Sequence, residues 1–107
     1  MLIKHRNHLG VMTLSTNTLS AMTTTIDFST VATWGTNAQA DLSGGKKGMI
    51  AADFNASGVI DAADRSAAWN NRNSTGYLVS DATMNGVADA GDRSLAWNNR
   101  NKVGQLP

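Results

Sequence analysis

Six of the eight acidic side chains, Asp53, Asp61, Asp64, Asp81, Asp89 and Asp92, fall in two twelve-residue stretches, and none of the eight is Glu. In the first stretch Asp53, Asn55 and Ser57 place side-chain oxygens on alternate residues. Val59 can add a backbone carbonyl, Asp61 a further oxygen directly or through water, and Asp64 a closing carboxylate. The second stretch repeats the order with Asp81, Thr83, Asn85, the carbonyl of Val87, Asp89 and Asp92. Gly58 and Gly86 occupy the sixth position of each, where a sharp turn would strain any side chain. Oxygen donors at positions 1, 3, 5, 7, 9 and 12 suit a hard cation that accepts about six to eight oxygens in flexible geometry, which is the chemistry of calcium rather than magnesium.

Both stretches therefore follow the pattern of an EF-hand calcium loop. Asx-rich turns without metal use the same residue types, but two independent twelve-residue matches at one spacing favour the ion, so two Ca2+ per chain are expected. Three carboxylates in each empty loop repel one another, and a dication would leave a formal charge of −1, which couples metal to folding. The loops belong to a longer duplication. Residues 53–73 realign on 81–101 with 14 of 21 positions identical, and so short a unit needs its partner copy to bury an apolar face.

The elements that must position these oxygens are short helices. Asp61 and Asp89 can act as N-caps, with Asp64 and Asp92 in the first turn, where negative charge suits the helix dipole. The helices are expected to run to about Asn71 and Asn99, where the NNRN sequences favour termination. Ile60, Ala63, Ala67 and Ala68 with Ala88, Leu95 and Ala96 offer a narrow, small-residue contact face. Helical spacing aligns Arg65, Trp69 and Arg72, and again Arg93, Trp97 and Arg100. These stripes are a candidate partner surface, since Trp and Arg are favoured contact residues. The competing reading places the indoles over the core with the arginines stacked on them. A chain with so few large apolar groups needs its tryptophans inside, which makes packing the expectation.

An Asp at position 12, loops opened by aspartate and a duplicated loop–helix unit make residues 53–107 resemble a type I dockerin domain. The repeated DRSxAWNNRN is similar to the dockerin-like modules that end large secreted bacterial surface proteins and polysaccharide-degrading enzymes. The resemblance implies a non-catalytic calcium module for protein–protein assembly or cell-surface attachment, with antiparallel helices about a pseudo-twofold axis. Its implied partner is a cohesin-like or other extracellular protein. Loop positions 10 and 11, which select the cohesin in that family, are here Ala62 and Ala63 or Ala90 and Gly91, which carry little recognition chemistry. A calcium-stapled structural terminus, a secretion or sorting element, and a glycan-binding module using Trp69 and Trp97 are the alternatives.

Upstream, residues 2–15 and 23–34 are rich in Thr and Ser with short alternating apolar positions, which reads as strands with a turn near Gly10. The first of these resembles the last strands of an Ig-like or carboxypeptidase-regulatory-like β-domain. The expected organisation is a β-rich segment over 1–48, with Gly44, Gly45, Lys46, Lys47 and Gly48 in a turn, and a dockerin-like domain over 49–107. The fold class is α+β. Met1 would then begin inside a domain of a longer exported chain, extracellular or on the bacterial cell surface, since residues 1–21 do not read as a signal peptide. His5 and His8 form an H-x-x-H pair, but without a nearby carboxylate, and on opposite faces of one strand, they make a weak zinc site.

With 107 residues, a formal charge of +1 and no Cys, the chain has no polybasic footprint for nucleic acid, no thiol chemistry and no disulfide. No apolar run is long enough for membrane insertion. No Ser-His-Asp spacing or phosphate-binding glycine loop suggests an enzyme. A small core and a monomeric module are expected.

Overall fold

The computed structural model describes residues 1–18 and 25–107. It is a small α+β fold with two short antiparallel sheets and two helices. Strands β1 (Leu2–His5) and β2 (His8–Met12) form one hairpin, and β3 (Gln39–Asp41) and β4 (Lys47–Met49) form another. Helices α1 (Ala62–Asn70) and α2 (Ala90–Asn98) pack against each other. No described helix is long and apolar enough to cross a membrane.

The period-2 pattern of the first segment becomes a hairpin because Leu9 and Val11 bury on one face while their neighbours are half-exposed. Its turn lies at Arg6 and Asn7, between paired His5 and His8, and not near Gly10. Gly10 is inside β2 for a packing reason: a Cβ there would stand 3.1 Å from Leu106 Cδ1. The second expected strand does not form over its described part. Asp27 Oδ1 accepts the Ser29 N–H at 2.9 Å in an Asx turn, and the segment meets the sheets through an isolated bridge of Thr33 to Thr13 and through the Ser29 and Phe28 carbonyls, which accept from the Lys47 N–H and the Gln39 side chain. Thr23 and Thr24 lie outside the described residues. The glycine-rich turn is real but shorter than expected. Gly44 and Gly45 take φ of 73° and 74°, while Lys47 and Gly48 already belong to β4.

Two small clusters make the core. Leu9, Ile50 and Ile60 join the hairpins to the first Asp-rich loop, and Ala52, Phe54, Ala68, Ala82 and Ala96 fill the space beneath the helices. Of the small-residue face expected from the sequence, Ile60, Ala68, Ala88 and Ala96 are buried and Ala67 and Leu95 partly so, but Ala63 is exposed. It stands in the first turn beside the cap, on the side of α1 turned to solvent.

The tip of the first hairpin holds the starts of both loops. Asn7 is fully buried, and its Nδ2 donates to the carbonyls of Val79 and Asp81 at 2.8 and 3.0 Å. Its own carbonyl accepts from Ala52 and Asp53 at 2.8 and 3.1 Å. Ala52 has φ of 92° and is fully buried, a left-handed conformation that costs an L-residue about 1–2 kcal/mol and persists where surrounding contacts fix it. Beside it the Arg6 guanidinium lies 3.8 Å from the Tyr77 ring centre and donates to the Leu78 carbonyl at 3.2 Å. Asn7→Ala leaves two inward carbonyls without donors, so it should cost about 2–4 kcal/mol in urea denaturation with calcium present; a change below about 1 kcal/mol would show that the tip does not hold the loops.

Candidate metal centre

Each Asp-rich loop is wound around its first carboxylate. Asp53 is 4% exposed, and its two oxygens accept the N–H groups of Ser57 and Gly58, both at 3.0 Å. Asp81, 3% exposed, accepts those of Asn85 and Gly86 at 3.2 and 2.8 Å. Gly58 and Gly86 take φ of 84° and 88°. A Cβ at either would meet nothing within 4 Å, so the demand for glycine comes from the backbone angle alone.

The twelfth residue ties the loop's start to its helix. Asp64 Oδ1 accepts from Phe54 and Asn55 at 2.8 and 3.2 Å, and Oδ2 accepts from Asp61 at 2.9 Å. Asp92 Oδ1 takes the Thr83 N–H at 3.0 Å and its hydroxyl at 3.1 Å, and Oδ2 takes the Asp89 N–H at 2.8 Å. Asp61 and Asp89 are N-caps as expected, each completing a capping box with the aspartate three residues on. Both helices end at the expected asparagines, with Asn71 and Asn99 as C-caps.

The remaining expected donors line the same turns. Asn55 Oδ1 accepts from Ser57 and Asn85 Oδ1 from Val87, both at 3.0 Å, while the Ser57 hydroxyl donates to the Val59 carbonyl at 3.0 Å. Asn85 Nδ2 reaches Asp89 at 3.4 Å. Among the described residues no group of three or more His, Asp or Glu side chains gathers to hold a metal. The donors in each loop are instead a mixture of carboxylate, amide, hydroxyl and backbone oxygen. Both Asp53 oxygens and the Oδ2 atoms of Asp64, Asp81 and Asp92 accept one N–H each and retain a lone pair for a cation, whereas Oδ1 of Asp64, Asp81 and Asp92 already accepts two donors. An all-oxygen set fits calcium rather than a nitrogen-seeking metal.

The two loops differ electrostatically. Burial pushes the Asp53 carboxyl above its ordinary value, against the N–H groups of Gly58 and Ser57 and with help from nearby Asp64. At Asp81 burial again acts upward and is the largest single effect, but the Gly86 and Asn85 N–H groups, the Thr83 hydroxyl and Met84 together outweigh it and hold the carboxyl low. The surroundings thus act against ionisation of Asp53 and favour it at Asp81.

Each loop pairs with the segment that follows the other copy's helix. Ile60 donates to the Lys102 carbonyl at 2.9 Å and accepts from Asn101 at 2.7 Å, while Ala88 donates to Ser74 at 2.9 Å and accepts from Asn73 at 2.8 Å. Asn73 and Asn101 both take φ of 66°, a left-handed helix exit that asparagine tolerates better than most residues. The NNRN sequences suggested the stop but not this exchange.

The tryptophans are not in the core. Trp69 and Trp97 are 48% and 49% exposed, because the space beneath the helices is filled by alanines and Phe54. The arginine stacking is present and crosses between copies. Arg72 and Arg93 lie 4.2 and 4.8 Å from the Trp69 ring centre, and Arg100 and Arg65 lie 4.1 and 5.1 Å from that of Trp97. Arg72 and Arg100 also donate to the Trp69 and Trp97 carbonyls at 3.0 and 2.8 Å.

His5 and His8, expected on opposite faces of one strand, meet across the tight turn with Nδ1 atoms 3.0 Å apart. Burial, then His5 and Arg6, lowers the His8 pKa to about 4. Asn7 was not a candidate in the sequence, because its contacts reach residues more than seventy positions away. No family model, curated protein sequence or solved structure matches the chain.

Asp64→Ala and Asp92→Ala should each remove one calcium site and lower the melting temperature in calcium, because each strips a buried acceptor from several loop N–H groups. Unchanged two-ion binding in both variants would overturn the loop register. Trp69→Ala should cost about 1 kcal/mol, far below the 3–5 of a buried indole; a loss of the larger size in thermal unfolding would return that indole to the core.

Proposed function

We propose that the chain is a non-catalytic, calcium-binding dockerin-like module, its two loop–helix copies related by a pseudo-twofold axis, that serves assembly or cell-surface attachment of a larger secreted protein. One observation carries the reading. Asp53, Asp64, Asp81 and Asp92 are all at least 96% buried, and the single ion pair among the described residues joins Lys47 to Asp41 elsewhere. Buried carboxylates need compensation, and backbone N–H groups supply it only in part. A dication in each loop supplies the rest. The reciprocal pairing of each loop with the other copy's helix exit supports the pseudo-twofold relation.

The exposed Arg–Trp clusters are the surface for an extracellular protein partner. Guanidinium groups lie over both indoles, which occupies ring faces that a sugar would stack on and disfavours the glycan-binding alternative. A purely structural staple is the second reading, favoured by the Asn7 tie between both loops and the hairpin.

Calcium removal tests the ion and partner capture tests the role. Chelator should abolish the sharp thermal unfolding transition seen in calcium, because the core is too small to hold four uncompensated carboxylates. An equally stable, cooperative fold in chelator would contradict the calcium reading. Wild-type chain should retain a partner from native extracellular material only with calcium, and Arg72→Ala with Arg100→Ala should lose it while still binding calcium. Loss of stability without loss of capture in that double variant would favour the staple.

A further inference from the structure

The turn of the first hairpin gathers three lone-pair atoms that hydrogen bonding alone does not satisfy. His5 Nδ1 lies 3.0 Å from His8 Nδ1 and 3.0 Å from Asn7 Oδ1, and His8 Nδ1 lies 2.7 Å from the same oxygen. The amide orientation follows from its other end: Nδ2 donates to the carbonyls of Val79 and Asp81, so Oδ1 must face the imidazoles. If both imidazoles donated to it, two N–H groups would converge from directions about 60° apart and bring their hydrogens to about 2 Å, inside van der Waals contact. If one imidazole donated to the other, Oδ1 would face a nitrogen lone pair with no proton between them. A near-equilateral triangle of these three atoms has no proton arrangement that satisfies every edge.

A cation above the triangle satisfies all three at once. We propose that His5 Nδ1, His8 Nδ1 and Asn7 Oδ1 form one face of a binding site for a divalent late transition metal, distinct from the calcium loops. Imidazole nitrogen is the ligand that such metals choose and calcium does not. At metal–nitrogen distances of about 2.0–2.1 Å, a nitrogen separation of 3.0 Å corresponds to an angle at the metal of about 91–97°. That is narrower than a tetrahedral site needs and matches the tetragonal or octahedral geometry of Cu2+ and Ni2+, with water completing the shell. Both histidines are only partly buried, which leaves an approach from solvent. Asn7 reaches the starts of both Asp-rich loops, so the same turn that would hold the metal also positions Asp53 and Asp81.

The test titrates Ni2+ into chain without added histidines and with calcium saturating, so that the loops' oxygen donors are already filled. One Ni2+ per chain is expected, and His5→Gln or His8→Gln should weaken it at least about tenfold, since even a group that only orients a ligand is worth about that much, with calcium stoichiometry unchanged. No saturable Ni2+ binding up to about 1 mM, or equal affinity in both variants, would overturn the site. A spectroscopic arm needs no variant: the Cu2+ form should show electron paramagnetic coupling to two imidazole nitrogens, and an oxygen-only spectrum would contradict the assignment.

Discussion

Two carboxylates, those of Asp64 and Asp92, are removed wholly from solvent and make no ion pair among the described residues, and the architecture follows from making that tolerable. Each must be surrounded by N–H groups, so the chain before it is wound into a tight turn whose amides point inward. The turn requires a left-handed residue at Gly58 and Gly86. The same carboxylate also accepts the N-cap amide, so a helix begins where the loop closes. Loop and helix are one electrostatic unit.

With the interior given to charge and backbone, little remains for apolar packing. Alanines line the helix contact and tryptophans stay outside, where guanidinium groups cover them. Cohesion comes instead from exchange between copies and from Asn7, which joins the entry of one loop to the entry of the other. Because each loop is paired to the other copy's helix exit, disorder in one loop removes partners from the segment that follows the other copy's helix. The two copies are therefore joined by backbone hydrogen bonds as well as by the small cluster of Phe54, Ala68, Ala82 and Ala96.

The parts legible in the sequence were those with local causes. Asp61 and Asp89 cap helices through neighbours two and three residues away, and Gly58 and Gly86 answer to a single backbone angle, so spacing was enough. The indoles were misplaced because burial depends on how closely two helices approach, and Ala68 and Ala96 leave no room for a ring. Gly10 read as a turn because the Leu106 side chain that packs over it is ninety-six positions away in the chain. The short β3–β4 hairpin had too few residues for a period to show, and nothing in the spacing marked Asn7, whose partners are distant in the chain. The convergence of His5 and His8 depended on a turn at Arg6 and Asn7, earlier in the chain than the one expected near Gly10.

Calorimetric titration of the decalcified chain with calcium tests most directly whether the buried carboxylates are there for a cation. Saturation at two ions per chain, with heat that includes ordering of the loops, is the result this account predicts. A chain that is already folded and shows no saturable heat at millimolar calcium would contradict it, and would mean that backbone N–H groups alone sustain four buried carboxylates.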